Sequence, residues 1–158
     1  MSPQSSSAAR QVLSFRLGGE TYAVDILRVV EIRGYSAVTQ IPETPDHMLG
    51  VLNLRGNIVP IIDMRRRIGV EAVDPSALTV VIVLSVEGVH GRRDFGLLVD
   101  GVSDVLDIPG DSIKPTPEAL NAHGEDLVNG LAQVNDRMVL LLDIDRMLGN
   151  AVPETLAA

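Results

Sequence analysis

Gly50-Val51-Leu52-Asn53-Leu54-Arg55-Gly56-Asn57-Ile58-Val59-Pro60-Ile61-Ile62-Asp63 sets two apolar runs around a short polar turn. Apolar residues alternate on both sides of Arg55-Gly56-Asn57, which is the pattern of a β-hairpin with one face buried. The stretch recurs as Gly130-Leu131-Ala132-Gln133-Val134-Asn135-Asp136-Arg137-Met138-Val139-Leu140-Leu141-Leu142-Asp143. At this fixed offset Gly50 matches Gly130, Val59 matches Val139 and Asp63 matches Asp143, and the match runs on through Arg66/Arg146 and Gly69/Gly149. A repeat that keeps both pattern and residues describes one small β unit used twice.

The rest of the chain fits two rounds of that unit. Val12 to Leu17 and Thr21 to Asp25 read as strands joined by Gly18-Gly19. Ile26 to Val29 reads as a helical turn, and Val30 to Arg33 as extended chain closed by Gly34. Prolines 42 and 45 shape an irregular loop, because neither can donate to a ladder. After the hairpin, Asp63 suits an N-cap and Gly69 the residue past a helix end. Glu71 to Ala77, with its Asp-Pro, is the expected connection between halves. The plan then restarts: Leu78 to Val86 is a continuous apolar strand, Phe95 to Asp100 and Val105 to Ile108 follow, Pro115 and Pro117 repeat the proline loop, and Asp143 to Gly149 repeats the closing helix. Gly88 and Gly91 read as a hairpin turn and not a phosphate cradle. About five short strands per half match a small closed barrel better than a sandwich. The expected architecture is all-β: a flexible tail at 1–11, a barrel at 12–72, a second at 73–150 and a tail at 151–158. Halves of roughly 65 residues are weak alone, so the two should pack through an apolar seam.

Composition narrows the function. The chain has 158 residues, 46% of them hydrophobic, enough to bury a core. With no Trp, two Phe and two Tyr, that core is Val, Ile and Leu, residues that favour pleated surfaces. A net charge of −8 disfavours phosphate backbones and anionic lipid, and stacking platforms for single strands are lacking. The apolar run Val80 to Leu84 is far too short to span a bilayer, and Met1 to Gln11 has no apolar signal region. A cytoplasmic protein is expected. The absence of Cys removes disulfides, thiolate metal sites and a Cys nucleophile.

Asp25-Ile26-Leu27, Val29, Glu31-Ile32-Arg33-Gly34-Tyr35, Gly50-Val51, Asn53-Leu54-Arg55-Gly56, Ile58-Val59-Pro60 and Asp63 together resemble the CheW family of chemotaxis coupling proteins. In the second half, Thr79 to Leu84, Val99-Asp100-Gly101-Val102-Ser103-Asp104-Val105-Leu106 and Lys114-Pro115-Thr116-Pro117-Glu118 agree, and the similarity covers about residues 12–149. The resemblance implies two SH3-like five-stranded barrels and a non-enzymatic adaptor without cofactor. It implies partners as well: the cytoplasmic tips of membrane chemoreceptors and the regulatory domain of the histidine kinase CheA, in arrays where ring assembly follows. A monomer is expected in isolation, since acidic charge reduces self-association.

A receptor hairpin would lay its apolar stripe into a groove at the barrel junction. The resemblance places Val29, Glu31, Gly50 and Arg55 at that groove, with Val99 and Val102 on the opposite wall. Val29 offers apolar contact, and Gly50 lets a partner approach closely. Glu31 and Arg55 are expected to form an ion pair fixing the hairpin turn; the bland alternative is a solvated arginine at a hairpin tip.

Other groups read as structural. Arg65-Arg66-Arg67 is expected to be a solvated helix face. His47, His90 and His123 are scattered without ligand spacing. Asp94, Asp100, Asp104, Asp107 and Asp111 lack a calcium-loop pattern and alternate as outward strand faces do. Two other functions stand beside the adaptor: a small β-barrel enzyme using Asp100 or Asp104 with His90, and the regulatory domain of a histidine kinase cut from a longer chain. The initial Met, the tail and the lack of a nucleotide motif favour a stand-alone chain over the latter. No nucleophile elbow, Walker loop or paired-carboxylate motif supports catalysis.

Overall fold

Two-residue turns set the register of the sheets. In the computed structural model, residues 9–35, 38–43, 48–68, 78–88, 91–115 and 128–148 are described, except the side chains at 67, 68 and 147. β1 (Arg10–Leu17) and β2 (Glu20–Asp25) turn on Gly18-Gly19, β4 (Met48–Leu54) and β5 (Asn57–Asp63) on Arg55-Gly56, and β9 (Val128–Val134) and β10 (Arg137–Leu142) on Asn135-Asp136. All six turn residues have positive φ, as the turn that matches strand twist requires. β6 (Val80–Gly88) and β7 (Gly91–Val99) form the fourth hairpin. β3 (Val29–Gly34) and β8 (Gly101–Ile108) are single strands, and α1 (Met64–Ile68) and α2 (Ile144–Leu148) are one-turn helices. Asp63 caps α1 by accepting from Arg65 N at 3.0 Å. The expected helical turn is a 3-10 turn at Ile26–Arg28, capped by the Asp25 carboxylate.

The strands form two five-stranded sheets, ordered β8-β1-β2-β10-β9 and β3-β6-β7-β5-β4. This corrects the division into 12–72 and 73–150. One barrel is the continuous stretch β3 to β7; the other is built from the chain's two ends, β1 and β2 with β8 to β10. Repeat and barrel are out of phase: each sequence half gives three strands to one barrel and two to the other. The pairings that decide this are non-local, through the parallel contacts β5–β7 and β2–β10, which no hairpin signal encodes. The chain crosses between barrels twice, at Ile26–Arg28 and at Asp100.

Among the described residues, one bridge closes each sheet at its ends. Thr39, beyond β3, exchanges backbone hydrogen bonds of 3.0 and 2.9 Å with Val51, and Lys114, beyond β8, exchanges bonds of 2.7 and 2.9 Å with Leu131. The repeated glycines lie under these bridges. A Cβ on Gly50, at φ +151°, would sit 2.2 Å from Thr39 O, and one on Gly130 would sit 2.8 Å from Ile113 Cγ2.

Strand alternation divides the buried residues among three cores. Val12, Ala23, Ile108, Ala132, Val139 and Leu141 fill one barrel. Leu54, Val59, Ile61, Val81, Val83 and Leu98 fill the other. Leu13, Phe15, Leu17, Ile82, Leu84, Val86, Phe95, Leu97 and Val99 belong to a seam between them, closed by Met64 and Leu148 of the helices. β6 reads as continuously apolar because both its faces are buried. Gly96 keeps one barrel narrow, since a Cβ there would lie 2.5 Å from Ile61 Cδ1.

Tyr22 stacks on Phe15 in the seam, ring centroids 6.2 Å apart. Burial first, and the charge of Glu20 second, raise its phenol pKa above the ordinary value. The neutral phenol therefore favours the folded state. That contribution holds below the unfolded phenol pKa of about 10 and is lost as pH rises through the folded value. Thermal stability should hold steady to about pH 9 and decline above pH 10, with a shallower decline in Tyr22→Phe. An equal decline in both proteins would remove Tyr22 as the cause.

Candidate partner-binding surface around Glu31 and Arg55

Among the described residues, β3 is an end strand that pairs only with β6. Its alternation leaves Val30 and Ile32 exposed on one face, flanked by Leu27, which is 87% exposed, and Tyr35. An exposed apolar strip along a strand whose outer edge is bridged only beyond its end marks a surface made for a partner.

Glu31 lies on the opposite, half-buried face of β3, next to Val29 and Arg33. Arg55 Nη2 donates to Glu31 Oε1. Arg55 holds φ +54°, a left-handed conformation that costs a residue with a Cβ about 1–2 kcal/mol. Asn53 supports the turn by accepting from Gly56 N at 2.9 Å. The Arg55 side chain is 77% exposed, so the pair contributes only ~0–1 kcal/mol of stability. The strained backbone and exposed guanidinium point to a geometric role.

The remaining expected groove residues divide. Val29 on β3 and Val102 on β8 are partly buried and pack against the seam core, so the seam reaches the surface at each of them. Val99 is fully buried in that core and cannot line a docking wall, because its position on β7 alternates toward the seam. Gly50 does not open a path for a partner either: its bare face is covered by Thr39 of the same chain. Arg33 shares the face of Glu31, and Val30 and Ile32 form the opposite, exposed face; none of the three is among the expected groove residues. Their signal was the alternation of β3 itself, which sets charged Glu31 and Arg33 against apolar Val30 and Ile32.

Arg65 is not part of a solvated helix face. Its side chain is 4% exposed and binds Asp63, 2% exposed, through Nε at 3.1 Å, and Asp100 through Nη1 at 3.4 Å. Burial lowers its pKa, but the hydrogen bonds and charges of Asp63 and Asp100 outweigh this and raise it. Arg66 is half exposed and lies 3.6 Å from Asp63. Asp100 also accepts from Gly18 N at 2.9 Å, so this carboxylate at a chain crossing holds the β1–β2 turn and α1 together. The other crossing has a counterpart of reversed polarity. Arg28 makes a two-pronged pair with Asp145 of α2, at 2.9 and 2.5 Å, and donates to Ser85 O of β6 at 3.1 Å. Asp145 and Arg65 occupy matching positions in the repeat.

These contacts engage Asp100 structurally, and Asp104 is exposed with its backbone tied to Ser14. His47, His90 and His123 lie outside the described residues, as do Pro45, Pro117, Gly69, Gly149 and the 71–77 connection. Among the described residues no group of His, Asp and Glu gathers as a metal site. No helix there is long and apolar enough to cross a membrane.

Residues 11–152 match the family model described as a CheW-like domain. The chain belongs to the CheW-like family. It is 44% identical to the chemotaxis protein CheW of Klebsiella aerogenes over 144 residues, covering 91% of this chain and 84% of that protein. It is 38% identical to the probable chemotaxis protein CheW of Rhizobium etli, covering 92% and 91%. The crystal structure of the scaffolding protein TtCheW from Thermoanaerobacter tengcongensis superposes with a TM-score of 0.78 at 30% identity, covering 91% of this chain and 97% of that one. The family is one of chemotaxis scaffolds and adaptors, not enzymes, and its two-barrel SH3-like architecture is the one described above.

Proposed function

We propose that this chain couples the cytoplasmic tips of chemoreceptors to the regulatory domain of a CheA-type histidine kinase, as a cytoplasmic adaptor recruited to membrane-associated arrays. The observation that carries the reading is the Glu31–Arg55 pair beside Val29 on the end strand β3, whose other face exposes Val30 and Ile32, on a chain of a scaffold family. A receptor helix docks its apolar stripe on β3, and Arg55 sets the register of docking. Val105 and Met138, exposed on the other barrel, offer apolar contact to the kinase. Each contact can be modest, because tethering many modules in one array raises effective concentration. The chain is a monomer alone and enters rings only with its partners.

A pull-down with purified kinase regulatory domain and receptor cytoplasmic fragment tests this: a ternary complex is expected, and a chain that retains neither partner ends the reading. Arg55→Gly sharpens the test. It removes the pair but relieves the left-handed backbone, so stability should change by no more than about 1 kcal/mol. Receptor affinity should nevertheless fall about tenfold, the scale of one interface anchor. Wild-type affinity in this variant would take Arg55 out of the contact.

A further inference from the structure

Glu31 faces two arginines, not one. Arg55 Nη2 donates to Oε1, while Arg33 Nη1 stands 3.9 Å from Oε2, beyond hydrogen-bond range. Arg33 Nε is shielded from solvent and has no hydrogen-bond partner among the described residues, which is a costly state for a charged donor. The side chain as a whole is 40% exposed, so it is free to turn outward. The cluster carries one more positive than negative charge on a chain of net charge −8, and it lies on the face of β3 that also carries the half-buried Val29, opposite the exposed Val30 and Ile32. An arginine with an unused fork matches one ligand group above others: a carboxylate, held by two parallel N–H donors.

We infer that Arg33 captures a single carboxylate of the docking helix, completing a four-charge network in which Glu31 bridges Arg33 and Arg55. This rests on the receptor-coupling reading above and adds the chemistry of the contact: an Asp or Glu beside the apolar stripe of the partner helix. Val29, half-buried on the same face, helps exclude water once the helix is seated, which strengthens the ion pair. The same network explains why Glu31 stays between two cations: it orients both forks and offsets their repulsion.

Calorimetry of the full chain with a chemoreceptor cytoplasmic fragment tests this. Arg33→Gln removes the charge and the guanidinium fork but leaves a polar, hydrogen-bonding side chain, and its fold is checked by circular dichroism. Binding should weaken about tenfold or more at low salt, and the gap from wild type should narrow as ionic strength rises. Amide replacement of each exposed tip carboxylate should find one whose loss equals that of Arg33→Gln and is not deepened by combining the two. Wild-type affinity in Arg33→Gln, or losses that simply add for every carboxylate, would overturn the inference while leaving receptor binding standing. A wild-type chain that binds no fragment would overturn both readings.

Discussion

Arg65→Ala is expected to lose about 3–5 kcal/mol of folding stability, the scale seen when one partner of a buried ion pair is removed. For a chain of this length that is on the order of 10 °C in melting temperature. The magnitude follows from what remains: the Asp63 carboxylate, 2% exposed, loses its buried guanidinium partner and is left with Arg66 at 3.6 Å, and Asp100 loses the cation that ties it to α1. The effect reaches beyond one helix, because Asp100 also holds the β1–β2 turn through Gly18 N. Calorimetric melting of Arg65→Ala, Asp63→Ala and the double variant checks the argument. The double variant should lose clearly less than the sum of the singles. Strict additivity would mean that the two side chains act independently and the clamp is misassigned.

Gly50→Ala should be the most damaging exchange for its size, at about 2–4 kcal/mol. Two terms add. At φ +151° any Cβ is strained, costing about 1–3 kcal/mol. The new methyl would also meet Thr39 O at 2.2 Å and Thr39 C at 2.8 Å, so it must displace the backbone that closes the barrel. The 3.0 and 2.9 Å bonds between Thr39 and Val51 then lengthen or break. Hydrogen exchange at the Val51 amide reads this directly: it should accelerate in Gly50→Ala out of proportion to the global loss. Exchange at Val51 that tracks only global unfolding would show that the bridge survives and that the strain falls elsewhere.

Local features of the fold were legible in the chain. Gly18-Gly19 and Arg55-Gly56 announced their turns, and alternation placed β1, β2, β4 and β5 within a residue or two of their ends. What escaped was the choice of partner. The two halves repeat one pattern, so the β1–β2 hairpin is locally as suited to β3 and β5 as to β8 and β10. The decision lies in long-range fits, such as Ser14 with the Asp104 backbone and Gly96 beneath Ile61, that no window of sequence displays. The site was partly legible. Glu31 and Arg55 are legible through the family resemblance, whereas Arg33 carries no mark in the sequence that tells a half-buried arginine from a solvated one. Val99 was misplaced because a valine near a strand end has no mark telling seam from surface. Arg65 was misread because a run of three arginines suggests a wet helix, although a one-turn helix whose cap residue is Asp63 turns its second residue back onto that carboxylate.

The mismatch between repeat and barrel has a consequence of its own. A lone copy of the repeat, keeping these crossings, completes a barrel only by taking its first hairpin from another copy. The present chain is in that sense a tethered dimer, two mutually dependent halves whose encounter has been made intramolecular. Its folding equilibrium is thereby freed from concentration, whereas two separate halves would dissociate on dilution.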